Sequence, residues 1–149
     1  MYKSILIATD GSELSDKGVE HGLALAKVLG AAVTLVTVTA NDLLSPYDMA
    51  EEMRRGNNPL ELYREAMNEK AGEILEAARA RAEAAGIEAR TVHVPETPPA
   101  EGIIEVATRH DCDLIVMSSH GRRGIRRLML GSQTAEVVAT TRIPVLVVR

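Results

Sequence analysis

The chain has 149 residues, enough for one domain with a sizeable hydrophobic core. Aromatic residues make up 2% of it, with no Phe and no Trp, so the core must be aliphatic. The same scarcity nearly excludes base stacking of the kind that single-strand nucleic-acid binders use. The net charge of -4 argues against binding of a nucleic acid or another polyanion by the molecule as a whole.

The single cysteine, Cys112, excludes an intramolecular disulfide and suits a reducing compartment. Its simplest interpretation is a small residue at the entrance of a strand, not a reactive thiol. No stretch approaches the roughly 20 apolar residues of a membrane span. The first residues lead directly into a strand and lack a signal-peptide pattern. The sequence therefore predicts a soluble cytoplasmic protein with no membrane partner.

Strand-like and helix-like segments alternate from the first residues onward. The first strand is the apolar run 4–9, which suits a central strand covered on both faces. Ser12 beyond it is a plausible N-cap for a helix over about 15–29, and Gly30 ends that helix. A strand rich in β-branched residues follows over 32–38.

The polar segment 39–59 predicts a long connection with a helical turn around 50–54, and long connections of this kind often carry function. A strong helix over 60–85 comes next, with Leu62 and Ala66 among the residues on its apolar side. The remaining predicted elements are a strand over 88–94, a helix over 100–110, a strand over 113–117, a helix over 132–140 and a strand over 143–148.

This alternation predicts one α/β domain over residues 1–149, an open parallel five-stranded sheet with helices on both faces (Rossmann-like). With the common strand order 3-2-1-4-5, the order reverses between the first and fourth strands. Ligands of such sheets bind outside the carboxyl ends of the strands at that point. The polar loops that follow Thr9 and Met117 would then face one crevice.

The loop after the fourth strand is the most informative segment of the sequence. It runs from Ser118-Ser119-His120-Gly121 through nine further residues to Gly131-Ser132, where a helical pattern begins. The start of a helix receives phosphate well, because its free N–H groups and the positive end of its dipole point outward. The glycine spacing matches neither the dinucleotide fingerprint nor the P-loop, so by itself it fits an ordinary turn as well.

Two segments carry a resemblance to a known family. The start of the chain resembles that of universal stress protein (UspA-like) domains, in the run Ile5-Leu6-Ile7-Ala8-Thr9-Asp10-Gly11-Ser12. The second half is similar to theirs in Ser119-His120-Gly121, Gly131-Ser132 and the final Ile143-Pro144-Val145-Leu146-Val147-Val148. The resemblance covers essentially the whole chain, in order and at the right spacing. It implies the adenine nucleotide alpha hydrolase-like form of the same sheet and a role in stress response or regulation.

The ATP-binding branch of that family carries the motif Gly-x2-Gly-x9-Gly-Ser/Thr. Gly121, Gly131 and Ser132 match its last three positions, and Ser118 stands where the first glycine is expected. A glycine lets the ligand approach the backbone closely, whereas the side chain of Ser118 could crowd the ribose or phosphate or donate a hydrogen bond to it. The departure bears on affinity and ligand choice, not on the fold.

The resemblance implies binding of ATP, or of ADP or AMP, together with Mg²⁺ or Mn²⁺, because hard cations favour phosphate oxygens. By position, the end of the first strand would lie beside the adenosine, Val38 would contact adenine and Met117 would wall the pocket. Residues 131–134 would present N–H and hydroxyl groups to the phosphates. The expected nucleotide-binding residues are Ala8, Thr9, Asp10, Val38, Met117, Ser118, His120, Gly121, Arg122, Gly131, Ser132, Gln133 and Thr134.

Several of these residues also have plain structural interpretations. Asp10 could close an Asx turn, and Ser132 could be only a helix N-cap. The basic run 122–127 favours help with phosphates over duplex binding because the rest of the chain is acidic, although a solvated basic face is the simplest interpretation of any one arginine. His120 has no partner at catalytic spacing and the other histidines are scattered, so we expect neither a catalytic residue nor a zinc site.

The fifth strand is strongly apolar and would lie at an edge of the sheet. Such edges must be covered or paired, and Arg149 is the last residue of the sequence. We therefore expect a homodimer in which the fifth strands meet around Val145 and Val147 about a two-fold axis. The resemblance implies the same.

Three hypotheses for function follow. The favoured one is a dimeric nucleotide-binding protein in which occupancy changes the 39–60 connection or a surface for an unknown protein partner, with slow turnover or none. The second is an ATPase or nucleotidyl transferase built on the same layout. The third is a dimeric adaptor without nucleotide, which would apply if Ser118 has disabled the pocket.

Overall fold

The chain forms a five-stranded sheet flanked by helices in a computed structural model that describes residues 1–41, 44–121 and 129–149. Predicted and observed ends of strands and helices agree within two residues, except that the turn expected around 50–54 is a helix of nine residues. The strands are β1 (Ser4–Ala8), β2 (Ala32–Val38), β3 (Ala89–Val94), β4 (Leu114–Ser118) and β5 (Val145–Val148). The helices are α1 (Glu13–Leu29), α2 (Pro46–Arg54), α3 (Pro59–Ala84), α4 (Pro99–Arg109) and α5 (Ser132–Thr140).

The sheet has the predicted topology. Its strands run parallel in the order β3-β2-β1-β4-β5, and Ile7 at the centre pairs with Leu35 on one side and Val116 on the other. Successive connections leave β1 toward β2 and later return to β4, so the order of the strands reverses between β1 and β4. The fold class and strand order expected from the sequence are therefore confirmed, and the reversal lies between β1 and β4 as expected.

Two apolar layers cover the two faces of the sheet. Successive side chains of β1 point to opposite faces, so Ile5 and Ile7 enter the layer under α1 and α3, while Leu6 enters the layer under α4 and α5. All three side chains are fully buried. A strand covered on both faces is apolar at every position, which explains the continuous run at the start of the sequence.

The first three helices begin with side-chain caps. Ser12 accepts a hydrogen bond from the Ser15 N–H and so caps α1, as predicted, while Ser45 caps α2 and Asn58 caps α3 in the same way. Gly30 ends α1 in the left-handed conformation, with φ of 64°. The Ser12 cap fixes where α1 begins after β1. The loop between them forms one side of the predicted crevice.

The amino-terminal half of α3 extends beyond the sheet. The helix has 26 residues, or about 39 Å at 1.5 Å per residue, whereas the seven residues of β2 span about 23 Å. The sequence groups Leu62 and Ala66 with the apolar side of this helix, but Leu62 is 41% exposed and Ala66 is exposed too. Both lie on the part of α3 that extends beyond the sheet. In the described part of the chain, none of the helices combines the length and apolar character that crossing a membrane requires.

Cys112 lies at the entrance of β4, as expected for a structural residue. It is buried beside the hydroxyl of Ser4, whose Oγ lies 3.5 Å from the Cys112 Sγ. Burial raises the pKa of the Cys112 thiol, so the thiol is protonated and unreactive at neutral pH.

The contact between α1 and β1 depends on a glycine. A Cβ at Gly22 would lie 2.6 Å from Ile7 Cδ1, so alanine there must displace a buried side chain. We expect Gly22→Ala to lower the free energy of unfolding by about 1–3 kcal/mol in urea denaturation, although alanine favours helix. Gly72→Ala in α3 is the matched control, because nothing in the described residues lies within 4 Å of the added methyl group. The control should gain up to about 1 kcal/mol. Equal effects of the two substitutions would contradict the close contact.

Candidate functional site

A cleft of about 530 Å³ lies outside the carboxyl ends of β1, β2 and β4. The overhanging half of α3 forms one wall, and the starts of α4 and α5 form the other. His120 is not among the residues that line it, and Arg122 lies outside the described residues. The other predicted site residues all line the cleft: Ala8, Thr9, Asp10, Val38, Met117, Ser118, Gly121, Gly131, Ser132, Gln133 and Thr134.

Asp10 lies where the loops after β1 and β4 come close to each other. Its Oδ1 accepts a hydrogen bond of 2.9 Å from the Ser12 N–H, which is the Asx turn considered from the sequence. Its Oδ2 faces Gly121, where a Cβ would lie only 2.7 Å away. The absence of a side chain at Gly121 therefore lets the loop after β4 approach the carboxylate that follows β1.

Ser118, at the position of the expected glycine, turns its hydroxyl toward the loop backbone. The hydroxyl donates a 2.7 Å hydrogen bond to the carbonyl oxygen of His120, and the Ser118 carbonyl accepts a 2.9 Å hydrogen bond from the hydroxyl of Thr134. The Gly131 N–H donates to the carbonyl of Ser119 at 2.8 Å. The bonds made by Thr134 and Gly131 hold the start of α5 against the end of β4. The hydroxyl protons of Ser118 and Thr134 are both used within the protein.

The start of α5 differs from the starts of the other helices. In the described residues, its N-cap Gly131 makes no side-chain capping hydrogen bond and its first turn holds no acidic residue. The first turns of α1 to α4 each hold at least one acidic residue. The positive end of the α5 dipole is therefore not neutralised by a carboxylate of its own first turn. Because Gly131 and Ser132 line the cleft, this end of the helix is a receptive place for an anion there.

Gly131 sits where a side chain would disturb the loop. An added Cβ would lie 3.2 Å from the carbonyl oxygen of Ser119 and 3.4 Å from the Cα of His120. Since both are backbone atoms, they cannot move without moving the loop. The His120 ring lies beside Ser119, with 3.0 Å between its Nδ1 and the Ser119 Oγ. His120 is therefore placed to support the loop.

Gln133 caps a neighbouring helix. Its side-chain Oε1 accepts a 3.0 Å hydrogen bond from the backbone N–H of Ala100, in the first turn of α4. Pro98, the N-cap of α4, makes no capping hydrogen bond of its own. The Gln133 side chain is therefore occupied in capping α4. Only the backbone N–H of Gln133 belongs to the start of α5, where the sequence analysis expects phosphates.

Comparison with known proteins agrees with this geometry. The model of the universal stress protein family matches residues 1–149. The chain belongs to the universal stress protein family. Universal stress protein MJ0531 of Methanocaldococcus jannaschii is 34% identical over 149 residues, which are 100% of this chain and 83% of that protein. The resemblance stated from the sequence is confirmed.

Solved structures support the same assignment. The structure of MJ0577 from Methanocaldococcus jannaschii has a TM-score of 0.77 and 28% identity, covering 99% of this chain and 96% of that one. A universal stress protein solved in complex with cAMP has a TM-score of 0.68 and 26% identity, covering 99% of this chain and 97% of that one.

In this universal stress protein, α3 contributes a wall that the sequence analysis missed. Tyr63, Met67, Lys70 and Ile74 line the cleft, and their spacing of three and four residues places them on one stripe of the helix. The Tyr63 hydroxyl donates to the carbonyl oxygen of Ala40 at 3.5 Å, which ties α3 to the exit of β2. The signal in the sequence was the length of this helix, which exceeds that of any strand it covers.

The β2 side of the cleft is lined by Val38 and Thr39. Gly102 of α4 packs behind Val38, since a Cβ at Gly102 would lie 2.9 Å from both Val38 methyl carbons. The Thr39 Oγ1 lies 2.8 Å from the Nε2 of His93. Burial lowers the pKa of His93, so its ring is neutral at pH 7. This side of the cleft is thus mostly apolar, with Thr37 and the neutral Thr39–His93 pair as its polar groups.

Among the described residues, few charged groups line the cleft. Among the described residues that line it, Asp10 supplies the one carboxylate and Lys70 the one ammonium group. Over the same described ranges, no group of three or more His, Cys, Asp or Glu side chains could hold a metal ion. A divalent cation in this cleft would therefore take most of its ligands from a bound phosphate chain or from water.

The capping role of Gln133 can be tested by two substitutions. Gln133→Met removes the acceptor of the Ala100 N–H and should lower the free energy of unfolding by about 1 kcal/mol. Gln133→Glu keeps an acceptor oxygen and adds a charge that favours a helix start, so its stability should stay within about 0.5 kcal/mol of the natural chain. Chemical denaturation measures both. A Gln133→Met protein as stable as the natural one would contradict the assignment.

Proposed function

We propose that this universal stress protein binds ATP or a related adenine nucleotide in the cleft at the ends of β1 and β4, and that it acts as a regulatory protein in the stress response. The observation that carries the proposal is the start of α5, which opens into the cleft with neither a side-chain cap nor an acidic residue in its first turn. A phosphate group suits that place because it accepts several N–H bonds and carries the opposite charge.

The rest of the cleft suits a nucleoside. Val38 and Met117 offer apolar surface to a base, and Thr9 and Asp10 line the same cleft, where they can contact a sugar. The complex of a related universal stress protein with cAMP supports an adenine nucleotide as the class of ligand. The inward hydrogen bond of the Ser118 hydroxyl supports a working site, because this side chain is turned to the loop and not to the ligand.

Mg²⁺ or Mn²⁺ would accompany a triphosphate through the phosphate oxygens, with Asp10 as the nearby carboxylate. The same carboxylate already accepts the Ser12 N–H, which suits a structural role better than the activation of water. Binding with slow turnover or none therefore fits the cleft better than rapid hydrolysis. If the protein were an ATPase, Asp10→Ala would abolish a steady, metal-dependent release of phosphate.

The start of α5 provides a sharp test of nucleotide binding. Calorimetric titration with ATP and Mg²⁺ should show saturable binding at about one site per chain. Ser132→Asp places a carboxylate in the first turn of α5, so we expect ATP affinity to fall at least about 10-fold while thermal stability is kept or raised. Ser132→Asn is the neutral control and should lose much less affinity. No binding at millimolar ATP, or an unchanged affinity in Ser132→Asp, would contradict the proposal.

We also propose that two copies associate through β5. This strand pairs with β4 on one side, and the described residues place no strand on its other side. Leu146 on β5 is 39% exposed, and an exposed apolar edge of this kind requires a cover. A dimer through this edge also fits the third hypothesis, a dimeric adaptor without nucleotide.

The oligomeric state tests this edge directly. Sedimentation velocity of the natural chain should show a dimer, and Leu146→Lys should shift it toward monomer because two like charges would meet near the two-fold axis. Leu60→Lys is the matched control, since Leu60 on α3 is 43% exposed and lies away from the edge. A monomeric natural protein, or equal dissociation in both variants, would exclude β5 as the interface.

A further inference from the structure

Lys70 is a cation that faces the cleft from the wall opposite the start of α5. It belongs to the stripe of α3 residues that line the cleft, between Met67 and Ile74. The two walls come from opposite faces of the sheet, because α3 packs with α1 and α5 packs with α4. An anion held at the start of α5 would therefore lie in the same cleft as the Lys70 ammonium, with Lys70 on the other wall.

The position of Lys70 is held by the tethers of α3. The Tyr63 hydroxyl donates a hydrogen bond to the Ala40 carbonyl oxygen just after β2. The Arg64 Nε donates a 2.7 Å hydrogen bond to Glu96 in the loop before α4. Both tethers lie within two turns of Lys70 on the half of α3 that overhangs the cleft. The helix is therefore fixed over the cleft without any contribution from Lys70 itself.

Lys70 differs from the arginines of the same helix in its partners. Arg64, Arg79 and Arg81 each form at least one ion pair with a glutamate or aspartate. Within the described residues, the Lys70 ammonium has no ion pair and no hydrogen bond. None of the described carboxylates therefore pairs with this ammonium group, and its charge can act on a ligand in the cleft.

Charge in the cleft should affect the relative affinities for adenine nucleotides that differ in their number of phosphates. The Lys70 ammonium attracts phosphates, and more strongly as their number grows. Adenosine carries no phosphate and should be indifferent to this charge. Lys70 can thus separate ligands that share a base and a sugar but differ in phosphates.

We propose that Lys70 is a specificity-determining residue, whose ammonium pairs with the phosphates of a bound adenine nucleotide and so favours ATP over AMP. This inference rests on the proposed function. It adds to it a preference among ligands and assigns that preference to a residue of α3, outside the loop between β4 and α5.

Affinities of adenosine, AMP and ATP test the proposal in the natural chain and in Lys70→Met, Lys70→Arg and Lys27→Met. Methionine keeps the length and helix propensity of lysine, so Lys70→Met should fold normally. We expect it to lose about 10-fold in ATP affinity, clearly less in AMP affinity and nothing for adenosine, because it removes one charge-assisted contact to phosphate. Lys70→Arg should keep most of the preference for ATP.

Lys27→Met is the control. It removes the same charge from the last turn of α1, at the other end of the sheet, and should change none of the three affinities.

The ratio of ATP to AMP affinity decides the outcome. A ratio that is the same in Lys70→Met and in the natural chain would overturn the role of Lys70 while leaving nucleotide binding intact. A natural chain that binds neither ATP nor AMP would overturn the proposed function itself. Raising the salt concentration should shrink the difference between Lys70→Met and the natural chain, because screening weakens the pairing that the substitution removes.

Discussion

The attachment of α5 to the end of β4 is the constraint on which the cleft depends. Two hydrogen bonds make it: Thr134 donates its hydroxyl to the Ser118 carbonyl, and the Gly131 N–H donates to Ser119. They hold in the lining of a cleft a helix start that lacks both a side-chain cap and an acidic first turn. A helix start in this condition is unfavourable in isolation and gains most from an anionic ligand, so the local structure and the proposed function have one physical cause.

The sheet decides where that helix start lies. Because β1 and β4 are buried on both faces, their polar continuations can emerge only at the carboxyl edge, where the strand order reverses. Helices from both faces then enclose the gap: α3 rises past the sheet on one side, and α4 begins on the other, capped by Gln133 of α5. The cleft is therefore shared between the two layers of the fold. A charge on one wall, such as Lys70, can act on a ligand bound at the other wall.

The sequence was sufficient for the fold because its signals are local and periodic. The alternation of strands and helices predicted the parallel sheet, and the common strand order of such sheets brought the loops after Thr9 and Met117 to one crevice. Most of the expected site residues do line the cleft. What could not be predicted depends on distant partners. The Gln133 side chain meets Ala100, and the overhang of α3 turns the stripe from Tyr63 to Ile74 toward the cleft and leaves Leu62 exposed. The helical period is the same over a core and over a cleft, so it does not show where a long helix leaves the sheet. The nucleotide-binding roles of the expected site residues, Arg122 included, stay predictions.

The central claim is that a nucleotide phosphate occupies the open start of α5, and an NMR titration with ATP and Mg²⁺ tests it most directly. Backbone amide signals of residues 131–134 and of the loop after β1 should shift together along one binding curve, because the two segments line one cleft. The amides at the end of α1, beyond the opposite edge of the sheet, should stay in place. Shifts that leave residues 131–134 untouched, or no shifts at millimolar ATP, would contradict the claim.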